Sequence, residues 1–229
     1  MKSWNQGVRE MFGEISPRYD LMNTLMTFGM DRRWRRIVTR MMELPPGGLL
    51  LDIGAGTGEI AIQTLRRDPR AQIIAADLTH AMMKKGVNKT GRRVAWCGAD
   101  ALVLPFRDNT FDSVTAGFLV RNVPDIAAAF REQLRVLKPG GTAVCLDTSP
   151  PADTPFRGLI RNYFRVIIPC MGTLIAGNTA AYRYLPQTTN AFKTPLEIAG
   201  IMSLAGFHRV VARSFMFGTI GIVSGKKPL

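Results

Sequence analysis

The sequence of 229 residues predicts an α/β fold with a doubly wound sheet, and two observations carry that prediction. Short apolar runs that are typical of buried strands alternate with stretches of helical periodicity. The first run, Leu49–Ile53, ends in a glycine turn that leads into a helical segment, as the ligand-binding turns of open α/β sheets do. Strands are predicted near residues 48–53, 72–77, 93–98, 112–117 and 141–147, with a final hairpin near 208–214 and 217–225.

The segments outside this sheet are predicted to be helical. Residues 1–43 form an N-terminal helical cap, and residues 150–190 form an insertion after the fifth strand. Both are expected at the carboxyl ends of the strands, where the insertion is a lid over an apolar substrate or, alternatively, ordinary core. Because no stretch has the composition of a linker, a repeat or a low-complexity tract, residues 1–229 are expected to form a single domain.

The glycine turn predicts a ligand that contains a nucleoside. Gly54, Gly56 and Gly58 alternate behind Asp52, with Thr57 inside the turn. Glycines allow a tight turn and let a ligand approach the backbone with no Cβ in the way. A dinucleotide fingerprint has the spacing G-x-G-x-x-G, whereas this turn has G-x-G-x-G. The turn alone leaves both NAD and S-adenosyl-L-methionine (SAM) open.

Residues at the ends of the next three strands extend this site. Asp77, followed by Leu78, can accept hydrogen bonds from both ribose hydroxyls, a feature that NAD and SAM sites share. Asp100, followed by Ala101, comes after the third strand, and Gly117 ends the fourth. Together the four strand ends resemble those of class I SAM-dependent methyltransferases. The resemblance implies SAM as cofactor, a Rossmann-like sheet of seven strands, and Asp100 as acceptor for the adenine amino group; a turn aspartate is the alternative.

The balance of charge predicts a negatively charged partner. Lys and Arg number 30 against 17 Asp and Glu, so the net charge is +13, which favours an anionic membrane surface or nucleic acid. No nucleic-acid module is recognisable, so nucleic acid is the less favoured partner. Two arginine stripes at helical spacing are flanked by apolar residues, typical of a helix in a membrane interface or of a solvated face. The stripes are Arg32, Arg36 and Arg40, and Arg157, Arg161 and Arg165.

The cysteines and histidines give no sign of a metal site. Cys97, Cys145 and Cys170 are widely spaced and odd in number, as expected of reduced core thiols. His80 and His208 lie apart from any ligand-like spacing. Because the N-terminus lacks a signal-peptide pattern, we expect a cytoplasmic protein that is at most peripheral at the inner face of the membrane.

One apolar stretch, residues 166–177, is interrupted by Pro169. It is shorter than the length of about 20 residues that spans a bilayer. It is therefore predicted to touch a membrane without crossing it.

Several segments along nearly the whole chain resemble the signatures of one family. They are Tyr-Asp-Leu-Met-Asn at 19–23, Trp-Arg at 34–35, Arg-Asn-Val at 121–123, Arg-Val-Leu-Lys-Pro-Gly-Gly at 135–141 and Tyr-Arg-Tyr-Leu-Pro at 182–186. The family is that of the ubiquinone/menaquinone biosynthesis C-methyltransferases. The chain departs from its pattern mostly on the side that would face the substrate. Thr27 and Asp31 replace the usual Ser and His, Gly117 replaces Ser, Phe118-Leu119-Val120 lacks the usual Gly, Asp147 replaces Glu, and residues 221–225 lack a His.

The resemblance implies methyl transfer from SAM to a ring carbon of a lipophilic polyprenyl quinol. Loss of a hydroxyl proton makes the neighbouring carbon nucleophilic, and the site must align that carbon and exclude water. Arg121 and Asn122 are predicted to be catalytic, through a water or by stabilising the phenolate; the second is favoured because arginine stays protonated. The alternative for Arg121 is an ion pair with an acid such as Asp77 or Asp125. Tyr19 is a further catalytic residue or a core residue.

Two other functions stay open at this point. A SAM methyltransferase for another substrate class, such as a phospholipid amine or a small metabolite, would share the cofactor residues. A non-catalytic protein of the same fold would bind RNA or a protein partner through its charge. The sequence also leaves open a homodimer, the identity of the quinol and the length of its tail.

Overall fold

A computed structural model describes the backbone of residues 4–229 and, apart from residues 4, 5, 185–187 and 190, their side chains. Its centre is a seven-stranded sheet, which confirms the predicted α/β fold. The strands are β1 (Leu49–Ile53), β2 (Gln72–Asp77), β3 (Ala95–Gly98), β4 (Phe111–Gly117), β5 (Leu137–Thr148), β6 (His208–Phe215) and β7 (Ile220–Lys226).

The strands follow the order β3-β2-β1-β4-β5-β7-β6 across the sheet. Neighbours from β3 to β5 pair in parallel, whereas β7 is antiparallel to both β5 and β6. The predicted final hairpin and its antiparallel addition are therefore confirmed. The strand order reverses between β1 and β4, so the glycine turn after β1 lies at the switch point where open sheets bind ligands.

Three strands begin two or more residues away from their predicted starts. β7 begins at Ile220 rather than at 217, because residues 216–219 form the hairpin turn. β3 begins only at Ala95, because Gly91–Arg93 form a 3₁₀ turn just before it. β5 begins earlier than predicted, at Leu137, because the Lys-Pro-Gly-Gly segment at residues 138–141 is part of the strand. A register shift between Phe111 and Ser113 on β4 accommodates it. None of these differences moves the carboxyl end of a strand by more than one residue, and the carboxyl ends build the site.

Helices cover both faces of the sheet. Leu50 packs with Trp34 and Ile60 on one face, and Leu51 packs with Phe130 on the other. Adjacent residues of a strand point to opposite faces, and both faces of a parallel sheet are buried, which is why β1 is apolar throughout its first half. The helices are α1 (Trp4–Ile15), α2 (Tyr19–Met26), α3 (Asp31–Met41), α4 (Glu59–Arg67), α5 (His80–Thr90), α6 (Ile126–Val136), α7 (Arg157–Ala176), α8 (Thr179–Ala191) and α9 (Pro195–Leu204).

A third apolar cluster joins the N-terminal helices to the insertion after β5. Met22 and Met26 of α2 pack with Ile168 of α7 and with Ala181 and Tyr182 of α8. The helical character predicted for both segments is confirmed within the described residues. Residues 1–3 of the predicted cap lie outside them.

Helix α7 is longer than the sequence predicts. It runs without a break for 20 residues, through Pro169, so the apolar stretch is part of a helix long and apolar enough to cross a membrane by length and composition alone. Wider π-helical turns at Tyr163–Ile167 and Gly172–Ala176 flank the proline, and such turns accommodate a residue that interrupts the regular helical hydrogen bonds. Only 11% of the 18-residue apolar window within α7 is buried in the structure. Ile168 is the buried residue through which α7 packs into the third cluster.

Candidate active site

The glycine turn has a left-handed backbone at each glycine. The φ angles are 62° at Gly54, 58° at Gly56 and 81° at Gly58, which only glycine adopts without strain. A Cβ at Gly54 would lie 2.8 Å from Leu119 Cδ1, and one at Gly58 would lie 3.0 Å from Trp96. A Cβ at Gly56 would meet nothing within 4 Å, so the open side of the turn is at Gly56.

Two cavities of the described structure lie against this turn. The turn cavity, of about 90 Å³, is lined by Gly54 and Gly56. It also holds other predicted cofactor residues, Asp77, Leu78, Asp100, Ala101 and Gly117. The side cavity, of about 30 Å³, shares Gly54, Gly56 and Gly117 and adds Asp52 and Thr57. Gly58 is not among the residues that line either cavity and is the N-cap of α4, so its left-handed backbone serves to turn the chain into the helix.

The predicted carboxylates of the turn cavity are fixed by backbone donors. Asp77 accepts hydrogen bonds from the backbone N–H of Gly56 at 2.8 Å and of Thr79 at 2.7 Å, while burial raises the pKa of its carboxyl. Asp100 accepts from the backbone N–H of Leu102 at 2.9 Å, the turn geometry that was its alternative, and it lines the cavity as well. Both carboxylates are thus preorganised at the cavity wall.

The close approach of Ile60 explains why a glycine stands at position 117. A Cβ there would lie 2.7 Å from Ile60 Cδ1, so the methyl group of Ile60 occupies the space that a serine side chain would need. A serine at this position would therefore have to displace the Ile60 side chain on α4.

A much larger, apolar cavity lies next to the turn cavity. It measures about 280 Å³ and is enclosed by α1, α2, α3, α7, α8 and the β6–β7 hairpin. Phe12, Met26, Ile168 and Phe217 are typical of its walls. Tyr19 and Phe118 line this apolar cavity, the turn cavity and the side cavity alike, so these two rings form the boundary between them.

Four residues that line the apolar cavity each have a buried polar atom with no hydrogen-bond partner among the described residues. They are buried, and all are donors: Asn23 Nδ2, Trp34 Nε1, Arg121 Nε and the Tyr182 hydroxyl. A buried donor without an acceptor is costly, by about 1–3 kcal/mol. The arrangement therefore fits a mostly apolar ligand that carries a small number of acceptor oxygens.

Arg121 forms a buried ion pair, but not with the acids that the sequence suggested. Its Nη1 donates to Asp147, and its backbone N–H donates to Asp147 Oδ2 at 3.2 Å. The suggested partners Asp77 and Asp125 are wrong, because Asp77 is held by backbone donors and Asp125 caps α6 through Ala128 N at 2.8 Å. Asp147 is near because β4 and β5 are adjacent and end together.

Asn122 and Tyr184 connect two of the cavities. Asn122 lines the turn cavity, donates to the Phe118 carbonyl at 3.1 Å and accepts from the Tyr184 hydroxyl at 3.1 Å. Tyr184 lines the apolar cavity, and burial raises the pKa of its phenol. The three predicted catalytic residues therefore lie at one junction: Tyr19 at the boundary, Arg121 in the apolar cavity and Asn122 in the turn cavity.

Phe118 is a site residue that the sequence did not single out. Its φ is 58°, and its ring lies 5.7 Å from the guanidinium carbon of Arg35 and 5.6 Å from that of Arg121, within cation–π range. Its position could have been recognised in the sequence, because Phe118 is an aromatic residue directly after Gly117, the end of a strand predicted to bind the ligand. Arg35 was missed as well; it lines the side cavity and forms a buried ion pair with Asp31.

The N-terminal helices are tied to the glycine turn by polar contacts. The Thr57 hydroxyl donates to Asp20 Oδ1 at 2.6 Å, and Lys89 bridges Asp20 and Glu59. Lys85 Nζ donates to the Pro17 carbonyl at 2.8 Å. Because α1 and Tyr19 line the turn cavity, these contacts hold a helical roof over it.

Comparison with known proteins decides which family has this architecture. The model of the ubiE/COQ5 methyltransferase family matches residues 1–227. The chain belongs to that family. A ubiquinone/menaquinone biosynthesis C-methyltransferase UbiE of Desulfotalea psychrophila is 45% identical, covering 96% of this chain and 90% of that protein. A demethylmenaquinone methyltransferase of Roseiflexus castenholzii is 41% identical, with 96% and 93% covered.

Solved structures agree with the fold of this ubiE/COQ5 chain. A SAM-dependent methyltransferase of Thermotoga maritima, titled a possible histamine N-methyltransferase, has a TM-score of 0.64 at 19% identity, with 95% of this chain and 98% of that one covered. One from Aquifex aeolicus has a TM-score of 0.60 at 18% identity, with 84% and 88% covered. The predicted family, the methyltransferase class and SAM as methyl donor are confirmed.

Proposed function

We propose that this chain methylates a ring carbon of a reduced, polyprenyl-substituted quinone. The observation that carries the proposal is the large apolar cavity, whose lining residues include a few with unpartnered buried donors and which shares Phe12, Tyr19 and Phe118 with the turn cavity. A quinol ring with its isoprenoid tail is a mostly apolar ligand with few oxygens. The names of the relatives, which refer to menaquinone and ubiquinone biosynthesis, support the same substrate class.

The residues around the glycine turn fit SAM. Asp77 would take the ribose hydroxyls and Asp100 the adenine amino group, while the open face of Gly56 would admit the methionyl part. When bound, SAM supplies an electrophilic methyl group on its sulfonium. Tyr19 and Phe118 then border both ligands, and they align the ring carbon and keep water from the reacting atoms.

Arg121 is the residue that we assign to the developing charge of the ring. Its side chain is 6% exposed and it stays protonated, so it acts by stabilising the phenolate through its unpartnered Nε–H rather than as a base. This stabilisation lowers the pKa of the ring hydroxyl, and water suffices as proton acceptor. Methyl transfer would release S-adenosylhomocysteine as the carbon–sulfur bond breaks, and the proton on the methylated ring carbon would pass to water, which restores aromaticity.

The same substrate class supports contact with an anionic membrane. Phe28, Leu159 and Phe217 line the apolar cavity and are 75%, 72% and 56% exposed, so the cavity continues into an exposed apolar surface. Both arginine stripes are exposed, and the stripe on α7 lies beside that surface. An apolar surface next to basic side chains suits a peripheral position at the inner face of a membrane. The homodimer stays a prediction, to be tested by light scattering.

Labelled SAM and a panel of reduced demethyl-quinols test the reaction. We expect label in the organic phase with at least one quinol and none with phosphoethanolamine or phosphatidylethanolamine. Normal binding of SAM with transfer to an amine and to no quinol would replace the proposal with the other substrate class.

Vesicle flotation tests the membrane contact. We expect the protein to float with phosphatidylglycerol vesicles and not with phosphatidylcholine vesicles, and Leu159→Asp to weaken flotation. Leu204→Asp is the matched control, because Leu204 is 91% exposed on α9, outside the cavity wall. Equal loss in both variants would count against a surface centred on the cavity.

A further inference from the structure

Recognition of a reduced ring requires a hydrogen-bond acceptor in the apolar cavity. The unpartnered polar atoms of its lining residues are donors, and the oxygens of a quinol and of its oxidised quinone can both accept from donors. Only the quinol has hydroxyl hydrogens to give. A cavity that offers donors alone would therefore hold the electron-poor quinone as readily as the quinol.

Asp31 is an acceptor that can distinguish the two forms. Among the described residues that line the apolar cavity it is the one carboxylate, and it is 5% exposed. It begins α3, and its Oδ2 is paired with Arg35 one turn later. An ionised carboxylate accepts hydrogen bonds and donates none. Asp31 therefore favours a ligand group that carries a hydrogen.

One oxygen of this carboxylate is available to a ligand. Oδ1 lies 3.2 Å from the Thr27 hydroxyl oxygen, but that oxygen lies closer, at 2.7 Å, to the carbonyl oxygen of Asn23. A hydroxyl has a single hydrogen, and the shorter contact with the carbonyl takes it. Oδ1 is thus left without a strong donor among the described residues, and a buried acceptor of this kind gains from a ligand hydroxyl.

The neighbours of Asp31 also indicate a ligand. Trp34 lies one turn along the same face of α3, lines the same cavity and is 1% exposed, and its Nε1 has no partner among the described residues. The guanidinium groups of Arg35 and Arg121 both lie within cation–π range of the Phe118 ring. The ion pair of Asp31 therefore adjoins the residue assigned to the phenolate.

We propose that Asp31 selects the reduced ring by accepting a hydrogen bond from the quinol hydroxyl that stays protonated. Arg121 serves the other oxygen, which carries the developing charge. A quinone would present a carbonyl oxygen to Asp31, and two acceptors repel each other. The inference rests on the proposed function and adds a residue that determines its specificity. The histidine usual in the family at this position can donate or accept, so this chain should be more selective than relatives that have it.

Anaerobic titration with a demethyl-naphthoquinone that carries one isoprene unit, in its oxidised and reduced forms, tests this role. Quenching of tryptophan fluorescence reports binding, since Trp34 lines the cavity. We expect the unmodified protein to prefer the quinol by about 10- to 100-fold, the range for a hydrogen bond to a charged group. Asp31→Asn should bind the quinone more tightly and the quinol more weakly, because an amide can donate to a carbonyl. Asp31→His should have an intermediate preference.

Asp153→Asn is the matched control and should keep the preference, because Asp153 is ion-paired with Arg157 but is 92% exposed and outside the cavity wall. Asp31→Asn leaves the charge of Arg35 uncompensated, so Asp31→Asn/Arg35→Gln is a second variant, in which the preference should also be lost. A preference for the quinol that persists in both variants would overturn the proposal.

The unmodified protein separates this inference from the proposed function. Equal affinity for the two forms, in a protein that still methylates quinols, would refute the role of Asp31 and leave the proposed function standing. Binding of neither form, with no methylation of any quinol, would refute both.

Discussion

Replacing Asp147 by Asn isolates the contribution of the buried ion pair beneath the apolar cavity. The side chains of Arg121 and Asp147 are 6% and 5% exposed, so the pair belongs to the class whose disruption leaves an uncompensated buried charge. Loss of one partner from such a pair costs about 3–5 kcal/mol. We therefore expect Asp147→Asn to lower the free energy of unfolding by that amount, although it changes the side-chain volume very little.

Urea unfolding of Asp147→Asn measures this effect, and a double-mutant cycle of Arg121→Met and Asp147→Leu measures the coupling of the pair. The double variant Arg121→Met/Asp147→Leu should unfold at a higher urea concentration than either single variant, because it removes both charges together. Arg157 and Asp153 are the matched control pair: they are 46% and 92% exposed, and their coupling should be about 0.2–1 kcal/mol. A buried pair with no more coupling than this exposed pair would refute the reasoning.

Three further predictions concern the glycine turn and its acids. Gly54→Ala should weaken SAM binding and lower the melting temperature, because a Cβ there lies 2.8 Å from Leu119 at a φ of 62°. Gly200 has free space around it in α9, so the control Gly200→Ala should stabilise the protein by about 0.5–1 kcal/mol. Thermal scans compare the two variants. Asp77→Ala should abolish SAM binding in calorimetry; unchanged affinity would mean that the ribose lies elsewhere. Burial raises the folded-state pKa of Asp52, so the stability from its protonated form is present at low pH and is lost as pH rises from 3.8 to about 7. Asp52→Asn should flatten that decline in unfolding free energy, and a parallel decline in both proteins would contradict it.

The glycine turn and the strand ends could be predicted because their information is local. The three alternating glycines after Leu49–Ile53 permit the left-handed backbone of a tight turn, and Asp77 and Asp100 lie at or just after the ends of their own strands. Parallel strands end at one edge, so these residues had to meet.

The partner of Arg121 could not be predicted in the same way. It depends on which strand lies beside β4 and in which register, and Asp147 is reached only through the pairing of β4 with β5. The apolar cavity likewise combines segments from both ends of the chain, such as Phe12 and Phe217. The length of α7 was missed because π-helical turns carry the helix through Pro169, and apolar periodicity does not register such turns.

The roof over the turn cavity bears on how quickly spent cofactor can be exchanged. α1 and Tyr19 line that cavity, and the contacts of Asp20 with Thr57 and Lys89 hold this segment against the glycine turn. Partly exposed ion pairs contribute only about 0.2–1 kcal/mol each and weaken with salt. We therefore expect the dissociation rate of S-adenosylhomocysteine to rise with ionic strength, which stopped-flow measurement of product release at several salt concentrations checks.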